Sequence, residues 1–366
     1  PTSQSRQANQ KKVELEVELV PSGGGFEYAL YVGDQGLVGA QKKVLYGDVY
    51  SGESATIQQL TEIKPNDGGY PGEGHLRIYE DLTISNSLTV AGTVTVNDYI
   101  TQGLGTNAAV GELIGVNNPP NGGGNPDYDT FLRKMAISGT ARFGTGRNYS
   151  TGPPNDVTAG GGIVHSATGL VPVPFEPLPG FDWDEVTDPP YTVIYPPYPS
   201  WAAFISWAND PANKTNLRGA HYVPGAGTHS WIMNGFTFAE DFLLVVDGSV
   251  TLAGSPNFNA ANAPITVTVV GNQATSQVSA GAPVLVTSDN LRFLIYSKGT
   301  TNIGLPTLIY GALYAEKGVS GTNLEIHFRP PETAGFIWDP SLGTSYTPRP
   351  GVWREASASA PPCTVP

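Results

Sequence analysis

Three aliphatic triplets recur at intervals of six residues, and this repeat constrains the fold more than any other feature of the sequence. Each triplet places Thr between two aliphatic residues, in Leu82–Ile84, Leu88–Val90 and Val94–Val96. Because side chains alternate across a strand, the outer residues face one side and the Thr faces the other. Small residues such as Ala91 and Gly92 allow the chain to bend between triplets. Stacked bends would bury the aliphatic residues of successive coils against one another, which predicts a β-solenoid.

The composition fits a mainly β protein rich in turns. Gly (45) and Pro (32) together make up about a fifth of the 366 residues, while 39% of residues are apolar. Gly and Pro interrupt helices, so this composition excludes a helical bundle. Only 14% of residues are charged, which argues against charge-driven disorder.

A second copy of the repeat lies much further along the chain. Ser87–Thr93 is matched in residue type, position by position, by Ser249–Ser255. We predict that both copies are coils of one solenoid. Further short β-rich runs follow the second copy, at 265–270, 284–287, 291–296, 308–314 and 324–328.

The first 80 residues are predicted to form a separate small sheet. Val13–Val20 alternates apolar and acidic residues, the pattern of a half-buried strand. Phe26–Val32 follows a Gly-rich turn and is predicted to return beside it as a hairpin. The polar segment 1–12 is predicted to be the end of a helix.

The segment between the two repeat copies, about 101–239, is predicted to be a large insertion. It is rich in Gly, Pro and aromatic residues and shows little regular pattern, apart from one helix candidate at Trp201–Ala208 with Ser200 as its N-cap. The predicted organisation is therefore a solenoid over 81–329, interrupted by this insertion, and a C-terminal extension over 330–366.

Two motifs carry a resemblance to a known family. Asp247–Gly254 and Leu308–Gly321 resemble the C-terminal repeats of large pilin-like proteins of the PilX-type pilus-assembly group, which are minor pilins of type IV pili. The resemblance implies that 1–80 is the pilin-like part. It also implies an upstream apolar helix, absent from this chain, that anchors the protein in the inner membrane before assembly. A chain that begins at Pro1 fits this expectation.

The same resemblance implies a function without catalysis or a cofactor. A minor pilin of this kind would lie at the tip of a type IV pilus on the cell surface, contact other minor pilins and bind extracellular double-stranded DNA during natural transformation. The net charge of −13 opposes attraction of the whole molecule to DNA phosphates, so any contact must be local.

One basic segment fits such a contact. Between residues 131 and 153 there is no acidic residue, and the aromatic residues Phe143 and Tyr149 lie among the cations. This mixture suits backbone contact with some base stacking. An ordinary solvated basic loop is the other interpretation. The predicted DNA-binding residues are Arg133, Lys134, Arg142 and Arg147 in this segment, and Lys214 and Arg218 elsewhere in the insertion.

Metal binding is not expected. The acidic residues Asp182, Asp184, Glu185 and Asp188 supply oxygen ligands that Ca²⁺ prefers, but they lack the spacing of an EF-hand. The five histidines include no pair at metal-binding spacing.

A surface adhesin or tailspike-like module that binds or cleaves polysaccharide is the alternative function. Solenoids of this class use paired carboxylates, and the candidates are Asp81, Asp247, Asp289 and Glu325. The Pro-stiffened aromatic residues between 191 and 231 form either a binding surface or a small core that holds the insertion together.

Overall fold

The computed structural model describes residues 26–33, 42–117, 128–187, 189–281, 285–321, 323–330 and 334–337, and the backbone of four short strands nearer the ends. The chain divides into two compact units. One contains Pro1–Gly25 and Trp338–Pro366, and the other contains Phe26–Ile337. Residues 26–80 therefore share a unit with 81–329, whereas the sequence predicted a separate N-terminal sheet.

The protein is mainly β. The strands of the first half are β1 Val13–Leu15, β2 Glu18–Ser22, β3 Leu30–Val32, β4 Lys43–Tyr46, β5 Val49–Ser51, β6 Ala55–Ile57, β7 Thr61–Lys64, β8 Leu76–Ile78, β9 Leu82–Ile84, β10 Leu88–Val96, β11 Ile100–Gln102, β12 Ala108–Gly115, β13 Thr130–Ile137, β14 Ala141–Gly144, β15 Tyr149–Ala159 and β16 Ile163–Ala167.

The strands of the second half are β17 Gly180–Phe181, β18 Leu217–Val223, β19 Thr228–Ile232, β20 Thr237–Val246, β21 Ser249–Ala253, β22 Asn257–Phe258, β23 Ile265–Gly271, β24 Gln277–Ala280, β25 Leu291–Ser297, β26 Thr300–Ile303, β27 Thr307–Ala315, β28 Gly318–Gly321, β29 Leu324–Phe328, β30 Phe336–Ile337, β31 Ser345–Arg349 and β32 Trp353–Glu355. Helix in the described residues is confined to α1 Trp201–Asn209, α2 Pro211–Lys214 and the short 3-10 turns Trp183–Glu185 and Ala260–Asn262.

The strands near the two ends of the chain pair with each other. β1 is antiparallel to β32, and β2 is antiparallel to β31. The predicted hairpin between Val13–Val20 and Phe26–Val32 does not form, because β3 instead pairs in parallel with β5 and β27 of the larger unit. The helix predicted at 1–12 lies outside the described residues.

Most strands of the larger unit belong to one 21-stranded sheet, accompanied by a five-stranded sheet. A run of parallel strands, here called the long ladder, extends through the larger sheet in the order β18-β20-β23-β25-β27-β3-β5-β8-β10-β12-β14-β16. A second parallel ladder runs β27-β29-β4-β7-β10-β12-β13-β15, and a third runs β6-β9-β11-β13-β15.

The six-residue triplets lie on three different ladders. Leu82–Ile84 forms β9 on the third ladder, Leu88–Val90 lies on the second, and Val94–Val96 lies on the long ladder. Each triplet therefore stacks on a strand that lies about three repeat intervals away along the chain, as Val94 does beside Leu76. The outer residues are buried, as the alternation predicted. The second repeat copy forms β21, which lies in the five-stranded sheet and not beside β10.

Residues from both halves of the chain meet in the middle of the ladders. β27 pairs with β3, and β29 pairs with β4. The aromatic ring of Tyr314 stacks on that of Tyr31, and Tyr31 stacks on Tyr50. Strands before residue 101 and after residue 239 thus share one sheet, as the sequence predicted.

The predicted insertion at 101–239 needs correction. Most of its described residues form strands β11–β16 and β18–β20 of the same two sheets, while the described residues of 168–216 form no strand of either sheet. Residues 168–187, here called the strap, return along the outside of the long ladder. Asn97 and Val173 exchange two hydrogen bonds of 2.8 Å, and Tyr28 Oη donates to Glu176 at 2.8 Å. The strap covers the stacked tyrosines.

Helix α1 closes the β18 end of the long ladder. Ser200 is its N-cap, as predicted, and Ser200 Oγ accepts a hydrogen bond from Ala203 N. Phe204 and Ala208 of this helix are fully buried. The predicted runs at 265–270, 291–296, 308–314 and 324–328 are all strands, while 285–287 makes only a bridge from Val286 to Leu308.

Candidate nucleic-acid interface

The strands next to the end of the ladders, β13 and β14, carry three of the predicted cations on their outer surface. Arg133 and Lys134 lie on β13, where the register with β15 shifts between Leu132 and Lys134. Arg142 lies on β14. Lys134 and Arg142 are exposed and Arg133 is half-buried. We call these three residues the terminal patch.

Gln102 fixes the backbone beneath Arg133 and Lys134. Its Oε1 accepts hydrogen bonds from the amides of Arg133 (3.0 Å) and Lys134 (3.1 Å), and its Nε2 donates to the Lys134 carbonyl at 2.6 Å. Gln102 itself is 1% exposed. These bonds satisfy the backbone groups that the register shift frees, so that both basic side chains project outward. Nothing in the sequence points to Gln102, because its partners lie one circuit further along the chain.

Aromatic rings accompany the terminal patch. The Arg133 guanidinium lies 4.8 Å from the centre of the Phe131 ring and donates to the Pro153 carbonyl at 3.0 Å. Phe131 stacks in turn on Tyr128, which is 37% exposed. The predicted stacking residue Phe143 is buried beneath Tyr149, so it cannot stack on a base.

Carboxylates near the terminal patch moderate its charge. Arg142 Nη2 lies 3.9 Å from Glu112 Oε1, and Lys134 is the register partner of Asp156. Exposed pairs of this kind contribute little energy and leave the cations free to bind phosphate. The patch is therefore a weak anion-binding surface when one molecule is considered alone.

Arg147 has a structural role and not the predicted DNA contact. It is 7% exposed, and its guanidinium donates to the carbonyls of Asn97, Asp98, Asn117 and Asp129 and to Thr130 Oγ1. Burial lowers the pKa of Arg147 to about 10, although Asp129 and Asp98 act to raise it. This side chain joins three successive turns of the chain and has no donor left for a phosphate.

The two remaining predicted residues lie at the opposite end of the long ladder. Lys214 ends α2 and lies 5.2 Å from the Phe236 ring, and Arg218 on β18 is 3.5 Å from Glu240. The structure therefore places three of the six predicted residues on the consecutive strands β13 and β14, and the other three elsewhere.

The aromatic residues between 191 and 231 pack as a small core over the end of β18. The imidazole of His221 lies between Tyr195 and Trp207, with ring centres 4.4 Å away on each side. Its Nε2 is 2.9 Å from the Arg218 carbonyl, and its Nδ1 is 3.1 Å from Tyr198 Oη. Burial lowers the pKa of His221 to about 3, so the ring is neutral at pH 7.

Two of the four candidate carboxylates for polysaccharide chemistry lie in one cluster beside β29. Glu325 Oε1 is 3.0 Å from His327 Nε2, and Asp289 accepts from Arg329 Nε. Asp67 contacts both basic side chains, at 2.6 Å from His327 Nδ1 and 2.9 Å from Arg329 Nη1. Sequence reasoning missed the roles of His327 and Arg329 because the residue that joins them, Asp67, lies 260 and 262 positions away in the chain.

The carboxyl group of Asp67 is not poised to act as a general acid. Burial acts to raise the pKa of Asp67, but hydrogen bonds from Arg329 and His327 outweigh it and the net pKa is lowered. A general acid needs the opposite shift. The other two candidates lie elsewhere, with Asp81 accepting from Tyr99 N and Asp247 accepting from Tyr222 Oη.

No metal site is found where the structure describes the chain. No three His, Cys, Asp or Glu side chains there approach closely enough to hold an ion. In the acidic run, Asp182 Oδ1 caps the 3-10 turn by accepting from Asp184 N, and Asp188 lies outside the described residues. Among the helices of the described residues, none has the length and apolar character needed to cross a membrane.

Comparison with known proteins gives limited information. No family model matches the chain, and no curated protein matches it. Among solved structures, the chain is similar to the competence-associated pilin ComZ from Thermus thermophilus, with 12% identity over 93% of this chain and 76% of that chain. The TM-score of 0.31 is too low to show a common fold.

Proposed function

We propose that this protein is a non-enzymatic minor pilin of a type IV pilus that binds DNA at the cell surface. The observation that supports DNA binding is the terminal patch, where Arg133 and Lys134 on β13 and Arg142 on β14 lie on the outer surface. Arg133 lies over Phe131, which stacks on the exposed ring of Tyr128. Contacts of this type neutralise phosphates and stack on bases without reading sequence. The pilin assignment, with other minor pilins as partners and an anchoring helix upstream, rests on the resemblance of the repeat motifs.

We infer further that the parallel ladders are the sides of one irregular β-solenoid. In the first half, the chain returns to the same ladder after about three repeat intervals. The inward residues of successive strands, such as Leu76, Val94 and Leu113, are fully buried and lie above one another. A rigid rod of this kind would present the terminal patch near one of its ends.

The DNA proposal is tested by titration of a fluorescent duplex with two charge-matched variants. R133A/K134A/R142A removes the terminal patch, and K214A/R218A/K298A removes three cations elsewhere. We expect the first variant to bind at least about tenfold more weakly in 0.1 M salt, with a log–log salt slope shallower by about 2.7 for each protein molecule that contacts the duplex. The second variant should resemble the wild type. Equal effects of the two variants would reject the patch as the DNA site.

Arg147 is left intact in this design. Its replacement would remove bonds to buried carbonyls and confound lost binding with lost stability.

Binding of a neutral polysaccharide is a second candidate function, supported by a groove of about 320 Å³ beside the His327 cluster. Val44, Leu308 and Leu324 form its apolar wall, and Lys42 and Glu325 form its rim. Glu325 is 45% exposed and held by His327, so its second oxygen can accept from a hydroxyl group. Calorimetry with cellohexaose tests this candidate: E325A should abolish binding, whereas E73A, at a remote exposed carboxylate, should not. Absence of binding by the wild type would reject it.

A further inference from the structure

The two ends of the long ladder differ in how they are closed. At the β18 end, residues 193–198 add backbone hydrogen bonds to the last strand, and α1 buries Phe204 against it. At the other end the last strands are β15 and β16. In the described part of the chain, β15 pairs only with strand β13 and β16 pairs only with strand β14.

The terminal strands expose side chains that belong to the interior. Ile163 is the register partner of Ala141, which is fully buried, so Ile163 points inward, yet it is 36% exposed. Its neighbour Val164 is 44% exposed. A stack of repeats needs a cap at each end to shield such residues from water. Among the described residues, nothing caps the end formed by β15 and β16.

The backbone of β16 is also open to a partner. Ala141 N donates to the Gly162 carbonyl at 3.1 Å. In a parallel pair this arrangement directs the N–H and C=O groups of Ile163 away from β14. Beyond Val164 the register with β14 shifts and Ser166 has a positive φ, so the regular edge ends there. β15 is a poorer edge, since Pro153 and Pro154 supply no N–H. The free edge is therefore concentrated at Ile163.

We propose that two copies of this chain associate end to end through β16, related by a two-fold axis. Such an axis sets the two β16 edges antiparallel and satisfies the same backbone groups on both copies. Residues 149–167 contain a single formally charged side chain, Asp156, so two copies can approach here despite the net charge of −13 on each. Because α1 closes the other end, head-to-tail chains are excluded.

This association would complete the DNA-binding surface, and that part of the inference rests on the proposed function. The terminal patch of one molecule has only three cations, with Glu112 and Asp156 nearby. Arg142 lies one strand from the edge, so the two β14 strands of a dimer are separated by three strand spacings, about 14 Å. The two patches then form one surface with twice the number of cations.

Sedimentation equilibrium of the full chain without DNA tests the dimer. We expect a mass of twice 38.5 kDa at micromolar concentrations. The charge-neutral variant I163Q/H165P should be monomeric, since it makes the end polar and puts on the edge strand a proline, which supplies no N–H. The matched control L104Q, at an exposed leucine in a turn, should stay dimeric. A monomeric wild type at 100 µM, or a dimeric I163Q/H165P, would overturn the proposal.

Salt titration of DNA binding separates this inference from the proposed function. The dimer should give a log–log slope of about −5.4, and I163Q/H165P about −2.7. A dimer that does not bind DNA would reject the proposed function alone. A monomer whose binding is lost in R133A/K134A/R142A would reject the end-to-end dimer alone. Circular dichroism shows whether I163Q/H165P is folded. If the variant is unfolded, the mass of the wild type alone decides between a monomer and a dimer.

Discussion

The rings of Tyr31 and Tyr314 stack parallel within 1°, with centres 5.2 Å apart, and join the N-terminal part of the chain to its C-terminal part. Tyr28 N, 286 positions from Tyr314, donates to Tyr314 Oη at 2.9 Å. β3 and β27 lie in register at this place, with Leu30 beside Leu313. The middle of the long ladder thus depends on contacts between the most distant parts of the larger unit.

Replacement of Tyr314 by Phe tests how much the hydrogen bond from Tyr28 N to Tyr314 Oη contributes to the free energy of unfolding. The change leaves the stacked ring in place but deprives the buried Tyr28 amide of its acceptor, which costs about 1–3 kcal/mol. Urea unfolding should therefore show a lower midpoint for Y314F. The control Y128F, at a half-exposed tyrosine, should unfold like the wild type. Equal stability of Y314F and the wild type would mean that the Tyr28 amide finds another partner.

Arg147 is predicted to be a main determinant of stability near the end of the ladders. Arg147→Ala removes one donor from each of four carbonyls, of which those of Asn97 and Asp129 keep a backbone donor. The carbonyls that lose their side-chain partner account for an expected loss of about 3 kcal/mol. Arg142→Ala, on an exposed side chain nearby, should change the free energy of unfolding by less than about 0.5 kcal/mol. Thermal unfolding of the two variants distinguishes them. Similar melting temperatures would contradict the structural role of Arg147.

His221 is predicted to make the protein less stable in acid. Its pKa in the folded state is lowered to about 3, below the value near 6.5 of an unfolded chain, so the unfolded state binds the proton first. The stabilisation is complete above about pH 6.5 and is lost as the pH falls toward 3, by up to about 1.4 kcal/mol per pH unit. H221Q should flatten this dependence when urea midpoints at pH 7 and pH 4 are compared. An unchanged difference between the two pH values would contradict the assignment.

The local features of the fold could be predicted from the sequence. The alternation in Leu88–Val96 and Leu324–Phe328 identifies buried strands, and Ser200 before an apolar run identifies the start of α1. These signals lie within a few residues of the element that they specify. Local spacing was less informative about stacking, since neighbouring triplets lie on different ladders.

The pairing of distant strands could not be predicted from the sequence. β3 pairs with β27 and not with the predicted partner β2. Aliphatic residues such as Leu30 and Leu313 can pack beside many strands, so their pattern does not specify a particular partner. Arg147 lies among Gly and polar residues, which is also the pattern of a solvated loop, although its acceptors come from three other segments. Only two members of the terminal patch are neighbours in sequence, and Gln102 beneath them has no local signal.

A disulfide cross-link between β4 and β29 tests most directly whether both halves of the chain share one sheet. Val44 and Glu325 are register partners on these strands, and Cys residues there would have Cα atoms about 4.8 Å apart, within the range of a disulfide. In a C363S background, V44C/E325C should form an intramolecular disulfide under mild oxidation, detected by non-reducing peptide mapping. E62C/E325C, one strand further apart, should not. Failure of the first pair to cross-link, or equal cross-linking of both pairs, would contradict the architecture.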